Sequence, residues 1–189
     1  MHHRRPRFSG SRAALAGSLL LAHPSLSDPH FRRTVVLLSA HDGGGAMGVV
    51  LNRPLPRKLG SLGGDFALGP LAGVPLFAGG PVATEQLVLC AWQPQPEQSA
   101  LQIVFGLDPE KAAELHGKPG VSVRGFLGHA GWSRGQLENE LKQNAWVVCP
   151  VTAGAITGAT GEPLWRGLLG SIDHEWRLLA DEPDDPEKN

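Results

Sequence analysis

Glycine and proline interrupt this chain at short intervals and limit what it can fold into. The 189 residues include 25 glycines and 16 prolines. Both residues break regular elements, glycine through its conformational freedom and proline through its missing amide hydrogen. The chain is therefore expected to form many turns and short elements, not long helices.

The length indicates one domain with an adequate core. A chain of 189 residues falls near the usual size of about 100–200 residues per domain. At this size roughly 70% of the unfolded surface becomes buried, so the fold needs no disulfide or metal staple. No apolar run reaches the roughly 18 residues of a membrane span. We expect no cofactor and no membrane partner.

Charge is uneven only at the two ends. Residues 1–12 carry four arginines and no acid, and residues 181–189 carry five acids and one lysine. We predict a disordered basic arm over 1–12, one domain over 13–180 and a disordered acidic tail over 181–189. The domain holds 12 basic and 13 acidic side chains. A nucleic-acid-binding domain normally presents a basic face, so the composition provides no clear nucleic-acid surface.

The amino-terminal sequence has two interpretations. RRPRF followed by AALAGSLLLA resembles a twin-arginine export signal, with a basic start and then an apolar region. However, the apolar run passes directly into strand-like sequence and shows no clear small-residue cleavage site. The sequence therefore favours an arm that leads into a first strand, and we predict a cytoplasmic location.

The two cysteines indicate no metal or redox motif. Cys90 and Cys149 are 59 residues apart and form no CxxC pair, so a zinc knuckle or a thioredoxin-like site is unsupported. Both lie in apolar runs, and we expect free, buried thiols in a reducing compartment. His41 follows a strand-like run and is interpreted as a turn residue, because no three ligands with metal-site spacing are visible. No metal site is predicted.

The order of the elements favours a mixed α+β fold. Strand-like runs such as RTVVLLSA and AMGVVLN dominate the first half, and strands alternate with helices only in the second half. This order argues against a doubly wound parallel sheet. Asp42-Gly43 predicts the turn of a hairpin between these two runs. Gly43, Gly45 and Gly48 fit G-x-G-x-x-G, but a strand follows them where a dinucleotide site needs a helix.

The stretch GWSRG, residues 131–135, matches the G-x-S-x-G turn that presents a nucleophilic serine in many hydrolases. A strand-like run precedes Ser133 and a helix-like run follows it, as that turn requires. In the usual order of the triad the only later histidine is His174, which directly follows Asp173, and adjacent residues cannot easily form the contact that orients a base. A different order could use His41 or His129, but no spacing selects either.

A structural interpretation accounts for the same serine. Ser133 and Gln136 form S-x-x-Q, a capping box at the start of a helix. Leu137 and Leu141 lie four residues apart and predict an apolar face for that helix. We favour the cap and predict no catalytic residue, with a serine hydrolase that uses Ser133 as the alternative.

Three long segments together resemble one family of small bacterial proteins. They are GSLLLAHPSLSDPHFRRTVVLLSAHDGGGAMGVVLNRPL, LFAGGPV and FLGHAGWSRGQLENELKQNAW. These segments are similar to the AlgH/YqgE family, and the resemblance covers roughly residues 15 to 180. It implies an α+β fold in which a branched sheet with a barrel-like part is flanked by helices. Family members are commonly described as transcriptional regulators, and the resemblance implies no enzymatic activity and no cofactor. We therefore expect a protein that acts through a protein partner or a small ligand.

Polar and glycine-rich points in these segments are the candidates for a ligand site. They are Asn52, Arg53, Gly79, Gly80, Trp132 and Gln136. If they meet in space, Arg53 and the amino end of the helix at Gln136 would bind a carboxylate or a phosphate, which makes an anion- or nucleotide-binding protein the main alternative function. The competing interpretation is structural: Asn52 and Arg53 brace the hairpin and Trp132 fills the core.

Overall fold

The computed structural model describes residues 15–95, 100–158 and 160–181. The strands found there are β1 (Ser18–Ala22), β2 (Val35–Asp42), β3 (Gly45–Val50), β4 (Pro54–Lys58), β5 (Pro75–Ala78), β6 (Val82–Gln95), β7 (Ala100–Phe105), β8 (Ser122–Ser133) and β9 (Trp146–Pro150). The helices are α1 (Pro109–His116), α2 (Gln136–Lys142), α3 (Ala153–Thr157), α4 (Gly161–Ile172) and α5 (His174–Asp181). The predicted basic arm lies outside the described residues. Of the predicted acidic tail only Asp181 is described, as the last residue of α5.

The described strands form one open, branched sheet in the order β4-β5-β8-β3-β2-β1-β9. Strand β8 is the branch point, because it pairs with three others. Its first part pairs in parallel with β5 and antiparallel with β6, and its last part, 130–133, pairs antiparallel with β3. The predicted α+β class and the branched sheet are confirmed. The predicted barrel-like part is not, because the sheet stays open between β4 and β9.

The apolar runs explain why the sheet is covered on both faces. In β1, Leu19 and Leu21 pack in one core cluster with α4, whereas Leu20 and Ala22 pack in another with α2. Successive side chains of a strand point to opposite faces, so a run of four apolar residues fits a strand buried on both sides. A third cluster lies between α1 and the β6–β8 part of the sheet.

The run DPEKAAELH predicts a helix with Asp108 as its N-cap and Pro109 at its first position, and α1 begins there. The Asp108 carboxylate accepts a hydrogen bond from the Lys111 amide at 2.8 Å, and Pro109 occupies the first turn. Such a cap satisfies an amide that has no partner inside the helix. The glycine-broken sequence of residues 58–72 predicts a weakly helical stretch, and it contains two short 3₁₀ helices, Leu59–Leu62 and Gly64–Phe66.

Strand β4 and the helices α3 and α5 were not predicted from the sequence.

Helix α4 packs on the sheet through Trp165, whose Nε1 donates to the Ala22 carbonyl at 2.8 Å. Among the described helices, none combines the length and the apolar character needed to cross a membrane.

Candidate functional site

A tight turn at residues 28–33 links several of the predicted site residues. The Asp28 carboxylate accepts from the amides of His30 and Phe31 at 2.8 and 3.2 Å, and the Asp28 carbonyl accepts from the Arg32 amide at 2.8 Å. Aspartate favours such turns because its short side chain binds the backbone two or three residues later. The 28–33 turn is therefore held by its own first residue.

Asn52 fixes the carboxyl end of this turn. Its side chain is 4% exposed; Oδ1 accepts from the Val35 amide at 2.9 Å, and Nδ2 donates to the carbonyls of Arg33 and Gly161 at 2.9 and 3.0 Å. Arg33 also pairs with Glu162 at 2.7 Å. These contacts join the turn to β2 and α4. Asn52 therefore acts as a brace, as the structural interpretation holds.

Arg53 contacts the same turn from the start of β4. Its Nη2 donates to the carbonyls of Pro29 and Arg32 at 3.3 and 3.4 Å. Burial, followed by the charge of the nearby Arg32, lowers the pKa of Arg53 from its ordinary value, and Asp28 opposes part of this shift. Among the described residues, no carboxylate forms an ion pair with Arg53.

Gly79 and Gly80 allow two strands to approach closely. A Cβ atom at Gly79 would lie 2.3 Å from the Gly128 carbonyl oxygen, and one at Gly80 would lie 2.2 Å from the His129 backbone. The Gly79 carbonyl also accepts from the Val50 amide at 2.8 Å, so this point joins β3 to β8. The backbone therefore approaches closely at both glycines, and neighbouring protein backbone occupies the space that a side chain would need.

Trp132 belongs to an aromatic cluster that contacts the 28–33 turn through Phe31. Its ring lies 6.1 Å from that of Phe31 and 5.8 Å from that of Trp146. The Glu140 carboxylate accepts from Nε1 of both tryptophans at 2.8 Å through one oxygen, and from the Gln136 amide group at 2.9 Å through the other. Trp132 is 5% exposed and is part of the core, as the structural interpretation holds. Glu140 was not predicted, because its partners lie on two different strands.

The capping-box prediction for Ser133 is wrong in part. Gln136 does reach back, and its Oε1 accepts from the Ser133 amide at 3.0 Å. However, Ser133 is the last residue of β8, and the residue before α2 is Gly135 in a left-handed conformation without a side-chain cap. The Ser133 hydroxyl contacts Gln136 Oε1 at 3.2 Å. Serine and glutamine therefore bind each other, and the serine does not bind a free helix amide.

The imidazole of His41 is held by an acid, a pairing that sequence reasoning missed. His41 Nε2 lies 3.1 Å from Glu138 Oε1, and its Nδ1 accepts from the Leu15 amide at 3.1 Å. Since Nδ1 accepts, the proton of the neutral ring lies on Nε2 and is donated to Glu138. Both ring nitrogens are thus engaged, and among the described hydrogen bonds neither contacts Ser133.

The predicted residues are only partly brought together. Asn52, Arg53 and, through Phe31, Trp132 all meet the 28–33 turn. Gly79 lies beside β3 and β8, and Gln136 lies against Ser133 and Glu140. The anion site at the amino end of α2 stays a prediction; in the structure the Gln136 side chain there binds Ser133 and Glu140.

Within the described part of the chain, the two thiols are not reactive and no group of side chains is arranged to hold a metal ion. Burial raises the pKa of the Cys90 thiol to about 12 and that of Cys149 to about 11. Both thiols are free, Cys90 buried and Cys149 half-buried, and both remain protonated at neutral pH. In residues 15–95, 100–158 and 160–181, no three His, Cys, Asp or Glu side chains are grouped so that they could hold a metal ion.

The fold and the sequence together place the chain in a known family. Residues 19–177 match the DUF179 family, which is described as AlgH-like. The chain belongs to the AlgH-like family. A UPF0301 protein of Streptomyces coelicolor is 40% identical to it over 188 residues, covering 94% of this chain and 96% of the relative. A UPF0301 protein of Parabacteroides distasonis is 33% identical over 183 residues, covering 93% and 91%.

Solved structures agree with the AlgH-like fold. The solution structure of the AlgH protein from Pseudomonas aeruginosa superposes with a TM-score of 0.66 at 26% identity, over 95% of this chain and 100% of that one. The crystal structure of protein DIP2367 from Corynebacterium diphtheriae gives a TM-score of 0.70 at 24% identity, over 96% and 95%. The second likeness concerns the fold alone.

Proposed function

We propose that this AlgH-like protein is a non-enzymatic binding protein, and that Arg53 and the 28–33 turn bind the anionic group of a small ligand or a protein partner. The observation that carries the proposal is the guanidinium of Arg53. It is half-buried, lies near Arg32, and forms no ion pair with a carboxylate of the described residues. A bound carboxylate or phosphate would supply a countercharge in direct contact with the guanidinium, in addition to the more distant charge of Asp28.

The chemistry of arginine suits this role. A guanidinium presents five N–H donors in a rigid fork that matches the two oxygens of a carboxylate or a phosphate. Arg53 uses Nη2 for two long contacts to carbonyl groups of the turn, which leaves further donors for a ligand. The Asp28 carboxylate already accepts from backbone amides, so it competes less for the same donors.

The other predicted residues support the site by position. Asn52 holds the carboxyl end of the turn against β2 and α4, and Trp132 in β8 stacks on Phe31 of the turn. Gly79 links β3 to β8 through its backbone hydrogen bonds. The preceding residue, Ala78, fixes the backbone at Arg53, because the Ala78 amide donates to the Arg53 carbonyl at 2.9 Å. A rigid frame of this kind lowers the entropic cost of binding.

The contacts of Ser133 favour binding over hydrolysis. Its hydroxyl and amide both contact Gln136, whereas a nucleophilic serine needs a hydrogen bond to a base that a third group orients. A fluorophosphonate probe is therefore expected to leave Ser133 unlabelled. Stoichiometric labelling that is lost in Ser133→Ala would contradict a non-enzymatic role.

In this proposal the protein acts in the cytoplasm, and a regulatory effect on transcription would pass through its ligand or partner and not through DNA contact. The full chain has a net charge of −1, which provides little of the basic surface that duplex binding needs. A gel-shift assay at low salt is expected to show no retarded DNA.

Thermal unfolding in a panel of anions tests the proposal. Inorganic phosphate, citrate and nucleotides are compared at constant ionic strength, since a ligand that binds only the folded state raises its stability by about 2.7 kcal/mol at 100 times its Kd. At least one anion is expected to raise the unfolding temperature of the wild type.

The matched variants are Arg53→Ala and Arg57→Ala. Arg57 is exposed on the neighbouring strand β4, so its removal changes the net charge equally. Arg53→Ala is expected to lose the stabilisation and Arg57→Ala to keep it. Flat curves across the panel, or equal responses of the two variants, would refute the anion site.

A further inference from the structure

A second arginine, Arg124 in β8, lies between two aromatic rings. Its guanidinium carbon is 4.7 Å from the ring centroid of Phe77 and 4.9 Å from that of Trp92. Phe77 and Trp92 belong to β5 and β6, the two strands that pair with this part of β8. Such contacts stabilise a cation on the negative faces of the rings. The three side chains therefore form one cluster on one face of the sheet.

Arg124 carries its charge without an acidic partner in the described part of the chain. One Nη group donates to the Ile156 carbonyl near the end of α3, and the structure shows no ion pair for this side chain. Burial lowers the pKa of Arg124 from its ordinary value. A guanidinium has five N–H donors, so donors remain after the carbonyl contact. A nearby anion would stabilise the charged form.

Trp92 presents a buried donor in the same cluster. Its side chain is 1% exposed, and its Nε1 has no hydrogen-bond partner among the described residues. In contrast, Trp132, Trp146 and Trp165 each donate from Nε1 at 2.8 Å. Buried polar groups are nearly always paired, and an exception indicates an ion, a water or a functional role. Among the buried tryptophans of the described residues, the one whose Nε1 has no partner is thus the one against which Arg124 packs.

We propose that Arg124 and Trp92 bind a small anion of the size of chloride, which accepts hydrogen bonds from the guanidinium and from the indole Nε1. The burial of Trp92 selects a monatomic ion over a carboxylate or phosphate that belongs to a larger ligand. A single negative charge both satisfies the indole N–H and balances the guanidinium, whereas a water molecule does only the first. The bound anion would join β6 and β8 and, through Arg124 and Ile156, hold α3 on the sheet.

Chloride titration of the full chain tests this site. Chloride replaces gluconate at constant ionic strength, and the titrated protein carries Arg53→Ala so that the site proposed above contributes nothing. The unfolding temperature is expected to rise with chloride and to saturate, and the Trp92 indole N–H resonance is expected to shift over the same range. An absent or unsaturable response would overturn the site.

Trp92→Phe is the decisive variant because it keeps an aromatic ring beside Arg124 and removes only the indole N–H. It is expected to weaken the chloride response at least tenfold, and Arg124→Lys is expected to do the same. Trp165→Phe is the control, since its Nε1 already donates to the Ala22 carbonyl; this variant should keep the chloride response even if it is less stable. A full response in Trp92→Phe would refute the proposal whether or not Arg124→Lys folds.

Discussion

At the scale of single residues, one carboxylate organises the aromatic cluster next to the 28–33 turn. Both oxygens of Glu140 are used: one accepts from Trp132 and Trp146, and the other accepts from Gln136. A buried indole N–H that loses its acceptor keeps its full desolvation cost. Although Glu140 is only half-buried, we therefore expect its side chain to contribute strongly to the stability of the fold.

Replacing Glu140 by alanine should be costly. Two indole N–H groups lose their acceptor at once, and each orphaned group costs about 1–3 kcal/mol. We expect Glu140→Ala to lower the free energy of unfolding by about 3 kcal/mol in urea denaturation. Asn139→Ala is the control, because Asn139 is exposed on the same helix and should change stability by less than about 0.5 kcal/mol. A similar loss in both variants would contradict this role of Glu140.

The role of Asn52 shows why residue function was only half predictable. The sequence marks Asn52 and Arg53 as a polar pair at the end of an apolar run, but it does not show what they contact. The partners of Asn52 lie 17, 19 and 109 residues away in the chain. Only the folded chain shows that Asn52 is fully occupied while Arg53 keeps donors free.

At the scale of elements, local signals predicted α1 correctly and α2 only partly. The cap Asp108 and the proline after it act within one turn, so their effect can be read locally. For α2, the same kind of signal at Ser133 was misleading because tertiary pairing with Gly45 extends β8 through that residue. Gly135 then supplies the left-handed conformation from which α2 starts.

The ion pairs of α1 should make its stability depend on pH. Hydrogen bonds from Lys111 and Lys118 lower the pKa of Glu114 from 4.5 to about 2. The folded state then keeps Glu114 ionised while the unfolded state binds a proton, so this stabilisation is present above pH 4.5 and is lost as the pH falls toward 2.

Comparing the wild type with Glu114→Gln measures this effect. The wild type should be the more stable protein at pH 7 and low salt, and the difference should disappear near pH 2. Because all three side chains are exposed, high salt should shrink the difference at pH 7 as well. A difference that is independent of pH and salt would show that the ion pairs do not cause it.

At the scale of the whole molecule, the central strands of the described sheet are buried and paired on both sides, whereas its edge strands are paired on one side. Val35, Val36, Leu37 and Leu38 of β2 are completely buried, and β2 is paired on both sides. Among the described strands, β7 by contrast pairs only with β6. Local opening requires less free energy where fewer contacts must break.

Native-state hydrogen exchange should resolve this difference. We expect the amides of β2 to exchange only through global unfolding, and those of β7 at an opening free energy lower by about 2 kcal/mol or more. The neighbouring strand β6 serves as an internal reference, since it is paired with both β7 and β8. Equal protection of β2 and β7 would contradict the predicted difference.

The sequence predicted the fold class of the protein but not which strands pair with one another. Apolar runs predicted where the strands lie, and the order of strands and helices predicted an α+β fold. Both predictions depend only on the local sequence pattern. The three partners of β8 among the described strands depend on long-range pairing, which periodicity does not encode. The barrel-like part was implied by the family resemblance, and the described sheet is open instead. Strand β4 begins with proline and carries Arg57 and Lys58, a composition that hides an edge strand from pattern analysis.

The central position of β8 also sets the order in which the protein can fold during synthesis. All three of its partners, β3, β5 and β6, leave the ribosome before it does. Until residue 133 emerges, each of these strands keeps an unpaired edge, and such edges are open to wrong pairing with other nascent chains. Strand β8, at residues 122–133, therefore covers the open edges of three strands that were synthesised before it.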